Sequence, residues 1–250
     1  MSRSFTKNVS NYMSLGINGV NPLISGAGAV SVHVWAKPSS YDTGFALNTV
    51  FRNYINNSSS GVLMSINNGT SDLLVFGARS TTGDSFQSKT STSTVPTGSW
   101  SSLGGVLNFA AGTVTPYFNG TAEGGGSVTF GASTYTPGTP STVHDSIGSQ
   151  LVVSPGSTTQ QFNGSLSLLA IWTIALTGTN FSDLAAGAWP GAVGSSPPVL
   201  LMPLAGYSSP ESSLVGGLSG TITGSVPAGS DDPGVWAPWR RSGRVMTGAI

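Results

Sequence analysis

The sequence predicts an all-β protein, an antiparallel sandwich of two sheets with one short helix. One observation is a clear hairpin pattern at Trp100–Gly120. Another is a series of short alternating apolar segments, separated by turns that draw on 35 Gly and 15 Pro residues. Only one stretch, Thr179–Ala188, has the start and stop signals of a helix. A chain of 250 residues fits a single large sandwich domain.

The hairpin is the strongest local signal. Its first strand alternates so that one face carries Leu103, Gly105, Leu107 and Phe109, and its second strand places Val114, Pro116 and Phe118 on one side. Asn119-Gly120 closes the segment, and Asn-Gly favours a two-residue hairpin turn because both positions tolerate positive φ.

Further strands are predicted on both sides of the hairpin by the same alternation. The expected strands are Asn11–Ile17, Val30–Val34, Thr49–Ile55, Val62–Ile66, Leu73–Arg79, Ser146–Val153, a strand with Leu166, Leu168, Ala170 and Trp172 on one face, Leu200–Leu204 and Leu218–Val226. Residues 80–98 are rich in Ser and Thr, which leaves a loop and a polar edge strand as alternatives. We expect residues 1–9 to be an N-terminal arm, 10–230 the sandwich and 231–250 a C-terminal arm.

Four segments together resemble one known family. They are VSVHVWAKP at Val30–Pro38, the hairpin at Trp100–Gly120, FNGSLSLLAIWTIALTGTNFSDLAAG at Phe162–Gly187 and LLMPLAG at Leu200–Gly206. Their order and spacing resemble the concanavalin A-like lectin/glucanase superfamily, in its LamG/pentraxin-type branch. The resemblance implies the jelly-roll fold. It does not fix a function, because this fold carries lectins, hydrolases, adhesion modules and virion proteins.

Charge is scarce in this chain. Only 7% of residues are charged, against about 25% in ordinary soluble proteins, and the formal net charge is zero. We therefore expect neither nucleic acid nor a membrane as a partner, and expect a surface partly covered by another protein or by copies of itself. The chain has no cysteine, and its first residues lack the apolar run of a signal peptide. It is predicted to be made in a host cytoplasm.

The sequence contains none of the usual catalytic motifs of this fold, which predicts a non-enzymatic protein. Hydrolases of this fold use a Glu-x-Asp-x-x-Glu strand to pair carboxylates, whereas the two glutamates here, Glu123 and Glu211, lie far apart in sequence. The two histidines are His33, in a strand, and His144, beside Asp145. No serine lies in a Gly-x-Ser-x-Gly elbow.

Binding remains the expected activity. Calcium is used in the lectin and pentraxin branches of the family that the chain resembles, and calcium requires several oxygen ligands. Asp42 and Asp145 are the best candidate ligands for it, although no cofactor is required by the pattern. A metal-free sugar site would use exposed aromatic rings. The candidates, each of which alternatively packs against the rim of the sandwich, are Tyr41, Tyr54, Tyr135 and Trp189.

The last residues differ from the rest of the chain. They contain a cluster of residue types that are favoured at protein interfaces, namely Trp236, Trp239, Arg240, Arg241 and Arg244. We predict that this arm docks on a partner protein; folding back on its own domain is the alternative. Together these features favour a structural virion protein, a bacteriophage capsid decoration or head-fibre protein that forms homo-oligomers and touches host glycans. The alternative is a carbohydrate-binding module of a tail fibre or cell-surface system.

Overall fold

The structure is a computed structural model, and it describes residues 2–6, 11–41, 47–53, 59–67, 72–138, 144–151, 158–206, 208–229 and 233. Two predicted site residues, the calcium-ligand candidate Asp42 and the sugar-stacking candidate Tyr54, lie outside these residues, as does the C-terminal cluster from Trp236 to Arg244. Within the described part of the chain, no helix is long and apolar enough to cross a membrane.

The described chain contains nineteen strands, most of them short. In chain order they are β1 (Ser2–Phe5), β2 (Tyr12–Ile17), β3 (Ala29–Ser40), β4 (Leu47–Arg52), β5 (Gly61–Asn67), β6 (Leu73–Arg79), β7 (Gln87–Thr94), β8 (Ser101–Asn108), β9 (Thr113–Phe118), β10 (Thr121–Ala122), β11 (Gly126–Ser127), β12 (His144–Ile147), β13 (Gln150–Leu151), β14 (Thr158–Thr159), β15 (Asn163–Trp172), β16 (Leu200–Met202), β17 (Glu211–Ser212), β18 (Ser219–Thr223) and β19 (Ala228–Gly229). The helices are α1 (Asn21–Ile24) and α2 (Gly178–Ala185), with a 3₁₀ turn at Pro190–Ala192.

Two large sheets face each other, as the sequence predicts. The first sheet has the order β10-β9-β8-β3-β15-β1-β19, with β11 beside β9 and β16 beside β15. The second has the order β17-β18-β2-β12-β4-β5-β6-β7. Neighbouring strands within both sheets are antiparallel. The strands β13 and β14 form a separate two-stranded antiparallel sheet.

The core between the sheets is built from alternate residues of each strand. The valines of β3 point inward and are fully buried, which confirms the predicted face. In β8, Gly105 lies opposite Val32, and a Cβ at Gly105 would overlap the ring of Phe76 from the second sheet. The small residue in β8 therefore lets this ring reach the facing sheet. The inward faces predicted for β8 and β9 are confirmed, since Leu107 and Val114 both lie in this core.

A second apolar layer covers the outer face of the first sheet. Helix α2 lies on that face, and its buried Phe181 stacks on Tyr117 of β9 with ring centroids 4.0 Å apart. The helix is capped by Thr177, whose hydroxyl accepts the Asn180 N–H while the Asn180 side chain accepts the Thr177 N–H. This reciprocal pair is a capping box. The helix therefore starts one residue before the predicted position and ends three residues before the predicted end.

Strand β15 departs from the predicted pattern. Leu168, Ala170 and Trp172 lie in the outer layer under α2, whereas Leu166 lies in the core between the sheets. The pairing with β3 shifts register between Ser167 and Ala170, and Leu168 has a φ of 53°. The single face expected for these four residues is wrong, because this bulge moves the alternation from one face to the other.

Two further differences concern the N-terminal part. Ser2–Phe5, expected in an arm, is strand β1, which pairs with β15 and β19 and places Phe5 in the core. The four residues of α1 form a second helix that the sequence did not indicate.

Residues 80–98, for which a loop and a polar edge strand were both open, contain the polar edge strand β7.

Candidate functional site

Glu123 lies at the edge of the sandwich where β9 and β10 of the first sheet approach β7 of the second. Its carboxylate accepts the backbone N–H groups of Thr92 and Ser93, at 3.1 and 2.7 Å, and the hydroxyls of both residues. Partial burial by itself would raise the pKa of Glu123, but these hydrogen bonds outweigh it and lower the pKa below its ordinary value. The carboxylate therefore stays ionised and joins the two sheets.

Glu211 joins the two sheets at the other edge. Its carboxylate accepts from Nε of Arg3 at 2.7 Å, and both side chains are buried. The Arg3 guanidinium also donates to the carbonyls of Ser208 and Val226. Since the two glutamates hold opposite edges of the sandwich, they cannot act as the paired carboxylates of a glycosidase.

Tyr135, a candidate for stacking on a sugar, does not lie at the surface. Its side chain is fully buried, and its hydroxyl donates to Oδ1 of Asn21 at 2.5 Å, an atom that also accepts from Nδ2 of Asn53. Burial raises the pKa of the Tyr135 phenol above its ordinary value. Tyr135 anchors a loop to α1 and to the end of β4, so the prediction that its ring is an exposed platform is wrong.

Tyr41 and Trp189 are half-buried and lie apart from each other. Tyr41 packs on the core between the sheets and donates its hydroxyl to the Val95 carbonyl. Burial, and then the Asp72 carboxylate, raise the pKa of this phenol. Trp189 packs on the layer around α2, at the outer face of the first sheet. The described candidates are therefore not gathered into one site, and a sugar-binding role for Tyr41 and Trp189 stays a prediction.

Asp145 is the calcium-ligand candidate that the structure describes. It is fully buried, and its carboxylate accepts the Val20 N–H at 2.6 Å. Within the described residues, no group of three or more His, Asp or Glu side chains is placed to hold a metal ion. This position suits a structural carboxylate that holds the chain ahead of α1.

His33 lies beneath α2 and is fully buried. Its Nε2 lies 2.9 Å from the Ser102 hydroxyl, and its ring meets that of Trp35 edge-on. Burial lowers the pKa of His33 to about 3, so the ring is neutral at physiological pH. It is a packed histidine on the outer face of β3.

His144 occupies the outer face of the second sheet, on the opposite side of the sandwich from α2. Its Nδ1 lies 2.7 Å from the hydroxyl of Ser14 on β2, and its cross-strand partner is Ile17. Ser14 in turn lies opposite Thr221 of β18. Ser14, Ile17, His144 and Thr221 form what we term the His144 corner.

The His144 corner is partly open to solvent. Ile17 is 47% exposed, Thr221 is exposed and His144 is half-buried, whereas Ser14 beneath them is 8% exposed. The corner thus offers an apolar surface, an imidazole and a hydroxyl side by side. Sequence reasoning considered His144 only with its neighbour Asp145, and missed Ser14 because the pair is separated by 130 positions.

Comparison with known proteins agrees with this architecture. A family model described as the concanavalin A-like lectin/glucanases superfamily matches residues 8–180. No protein of curated function matches the chain.

Several solved structures share the fold. The SAP-like pentraxin of Limulus polyphemus is similar with a TM-score of 0.57 and 17% identity over 88% of this chain and 94% of that one. A putative carbohydrate binding protein from Bacteroides ovatus has a TM-score of 0.66 and 17% identity over 92% of this chain and 60% of its own length. The CBM40 of the Ruminococcus gnavus IT-sialidase, bound to α2,3 sialyllactose, has a TM-score of 0.53 and 11% identity over 74% of this chain and 98% of its own. Because the family model spans more than half of the sequence and the sandwich agrees with it, the chain belongs to the concanavalin A-like lectin/glucanases superfamily.

Proposed function

We propose that this protein is a non-catalytic, lectin-like module that binds a glycan at the His144 corner. The observation that carries the proposal is the 2.7 Å contact between Ser14 and His144, which fixes an imidazole beside the exposed Ile17 and Thr221. A pyranose has apolar C–H faces and a rim of hydroxyls, so an apolar side chain flanked by hydrogen-bonding groups matches its chemistry. The use of both glutamates as inter-sheet contacts supports binding without hydrolysis.

The similar structures support the same class of function. Two of them are described as carbohydrate-binding, the Bacteroides ovatus protein and the Ruminococcus gnavus CBM40. At identities of 17% and 11% they carry the fold rather than a set of shared contacts. The identity of the sugar and of the residues that contact it must therefore be inferred from this chain itself.

A glycan array tests the proposal directly. Wild-type protein should bind a subset of glycans, and His144→Ala should weaken that binding about tenfold, the scale of one lost hydrogen bond of ~1.4 kcal/mol. Ser182→Ala is the matched control, because Ser182 is exposed on α2 at the opposite face of the sandwich. The proposal would be contradicted if the wild-type protein bound no glycan on the array, or if His144→Ala and Ser182→Ala bound equally well.

We also propose that the module is carried on a virion, as a bacteriophage decoration or head-fibre protein. The scarcity of charged residues and the Trp- and Arg-rich segment after residue 230 support a surface that contacts other proteins. Quantitative mass spectrometry of purified particles tests this proposal. Many copies per particle are expected, and absence from particles would leave the carbohydrate-binding module of a cell-surface system as the alternative.

A further inference from the structure

Ser14 forms two hydrogen bonds in the described part of the chain. Its hydroxyl oxygen accepts the N–H of Gly16 at 3.1 Å and lies 2.7 Å from Nδ1 of His144. The bulge in this strand pairing, with Gly16 at a φ of 87°, turns the Gly16 N–H back toward Ser14. The Ser14 oxygen thus already receives one donor from its own strand.

The remaining question is which of Ser14 and His144 donates in the 2.7 Å contact. A neutral imidazole carries one N–H, on either Nδ1 or Nε2. If Nδ1 carried it, the Ser14 oxygen would receive two donors, and its own proton would have no acceptor among the described residues. Ser14 is 8% exposed, so a hydroxyl proton without a partner there costs free energy. The arrangement that uses every group has the Ser14 hydroxyl donating to Nδ1.

This assignment places the ring proton on Nε2. In an imidazole ring Nε2 lies across from Nδ1, so it points away from the contact with Ser14. His144 is half-buried, with Ile17 and Thr221 exposed beside it. The Nε2–H group therefore lies on the solvent side of the ring, within the His144 corner.

We propose that Ser14 is a positioning residue that holds His144 in the Nε2–H tautomer, so that the corner offers one directed hydrogen-bond donor to an acceptor oxygen of the glycan. The proposal rests on the glycan-binding function above. It narrows the ligand to a sugar that places a hydroxyl, ring or carboxylate oxygen over His144 while an apolar C–H face meets Ile17. A sugar position that can only donate a hydrogen bond does not satisfy this ring.

Nitrogen-15 NMR of the histidine rings tests the tautomer without any ligand. At alkaline pH, His144 should show a protonated Nε2 and a bare Nδ1 in the wild-type protein. Ser14→Thr keeps a hydroxyl and should keep this signature, whereas Ser14→Ala should give a mixture of both tautomers. A protonated Nδ1 in the wild-type protein, or an unchanged signature in Ser14→Ala, would overturn the proposal.

Binding supplies the second readout, with the same glycan array as the probe. Ser14→Ala should weaken binding severalfold while the protein remains folded, and Ser14→Thr should retain the wild-type binding. Equal binding by Ser14→Ala and the wild type would overturn the positioning role even where the tautomer is as expected. If no glycan binds to the wild type, the proposed function fails, while the NMR result still decides the tautomer.

Discussion

Glu123 shows how a single carboxylate closes one edge of this sandwich. The pairing of β6 with β7 shifts register beside Leu74, and the backbone N–H groups of Thr92 and Ser93 in that part of β7 donate to Glu123 instead. Unpaired N–H groups on an edge strand invite association with another chain. The carboxylate satisfies these two donors within the molecule, so this part of the edge of the second sheet is protected.

The lowered pKa of Glu123 makes its contribution to stability depend on pH. Because the folded-state value lies below the ordinary value of about 4.5, the stabilisation is fully present above that value and is lost as the pH falls through the folded-state pKa. Glu123→Gln should therefore melt below the wild type at neutral pH, and the gap should shrink below about pH 4.5. Thermal melts from pH 7 to 3 measure this. Asp183→Asn on α2 is the charge-matched control, and a gap that does not vary with pH would contradict the prediction.

Helix α2 depends on its first turn as much as on its buried face. Its apolar contacts with the sheet are made by Phe181 and Leu184, and a helix of eight residues is too short to be stable by itself. The capping box at Thr177 satisfies N–H groups that the helix leaves without partners. The cap and the packing therefore act together to hold the outer layer.

Thr177→Ala should lower the free energy of unfolding by about 1 kcal/mol, the usual loss when an N-cap hydroxyl is removed. Thr179→Ala, an exposed position within the helix, is the control and should change stability by less than about 0.5 kcal/mol. Urea denaturation followed by fluorescence gives both values. A Thr177→Ala variant as stable as Thr179→Ala would show that packing alone positions α2.

Elements defined by local pattern were predictable, and those defined by distant contacts were not. The β8–β9 hairpin and the valine face of β3 follow from alternation and a short turn, and the structure agrees. The bulge in β15 breaks alternation without a Gly or Pro signal, since Leu168 itself takes the positive φ. β1 is a four-residue polar segment whose partners, β15 and β19, lie more than 150 residues away.

The candidate site was less predictable than the fold for the same reason. An exposed aromatic next to a turn is a fair expectation, but Tyr135 faces inward, where its hydroxyl donates to Asn21 and Asn53 donates to the same Asn21 oxygen. Conversely, Ser14 and His144 carry no motif. They meet because β2 and β12 are neighbours in the second sheet, which no spacing along the chain reveals.

At the scale of the whole molecule, two carboxylates connect the two sheets at opposite edges. Glu123 follows β10 and binds β7, while Glu211 on β17 binds Arg3 on β1. The strands at the ends of the first sheet, β10 and β19, have two residues each, and so does β17 at one end of the second. Edge strands that are short, or whose polar groups are bound by a side chain of the same molecule, disfavour edge-to-edge association. We therefore expect contacts with other proteins to be made through faces and loops.

The Arg3–Glu211 contact provides the sharpest test of whether these contacts between the sheets stabilise the protein. Removing one partner of a buried ion pair leaves the other charge buried without compensation and typically costs 3–5 kcal/mol. Arg3→Met should therefore destabilise the protein by about that amount, and Glu211→Gln likewise. The double variant should lose about 1–3 kcal/mol less free energy of unfolding than the two single variants lose together, because no uncompensated charge remains. Equilibrium denaturation of the four proteins measures the coupling, and strictly additive losses would show that the two side chains act independently.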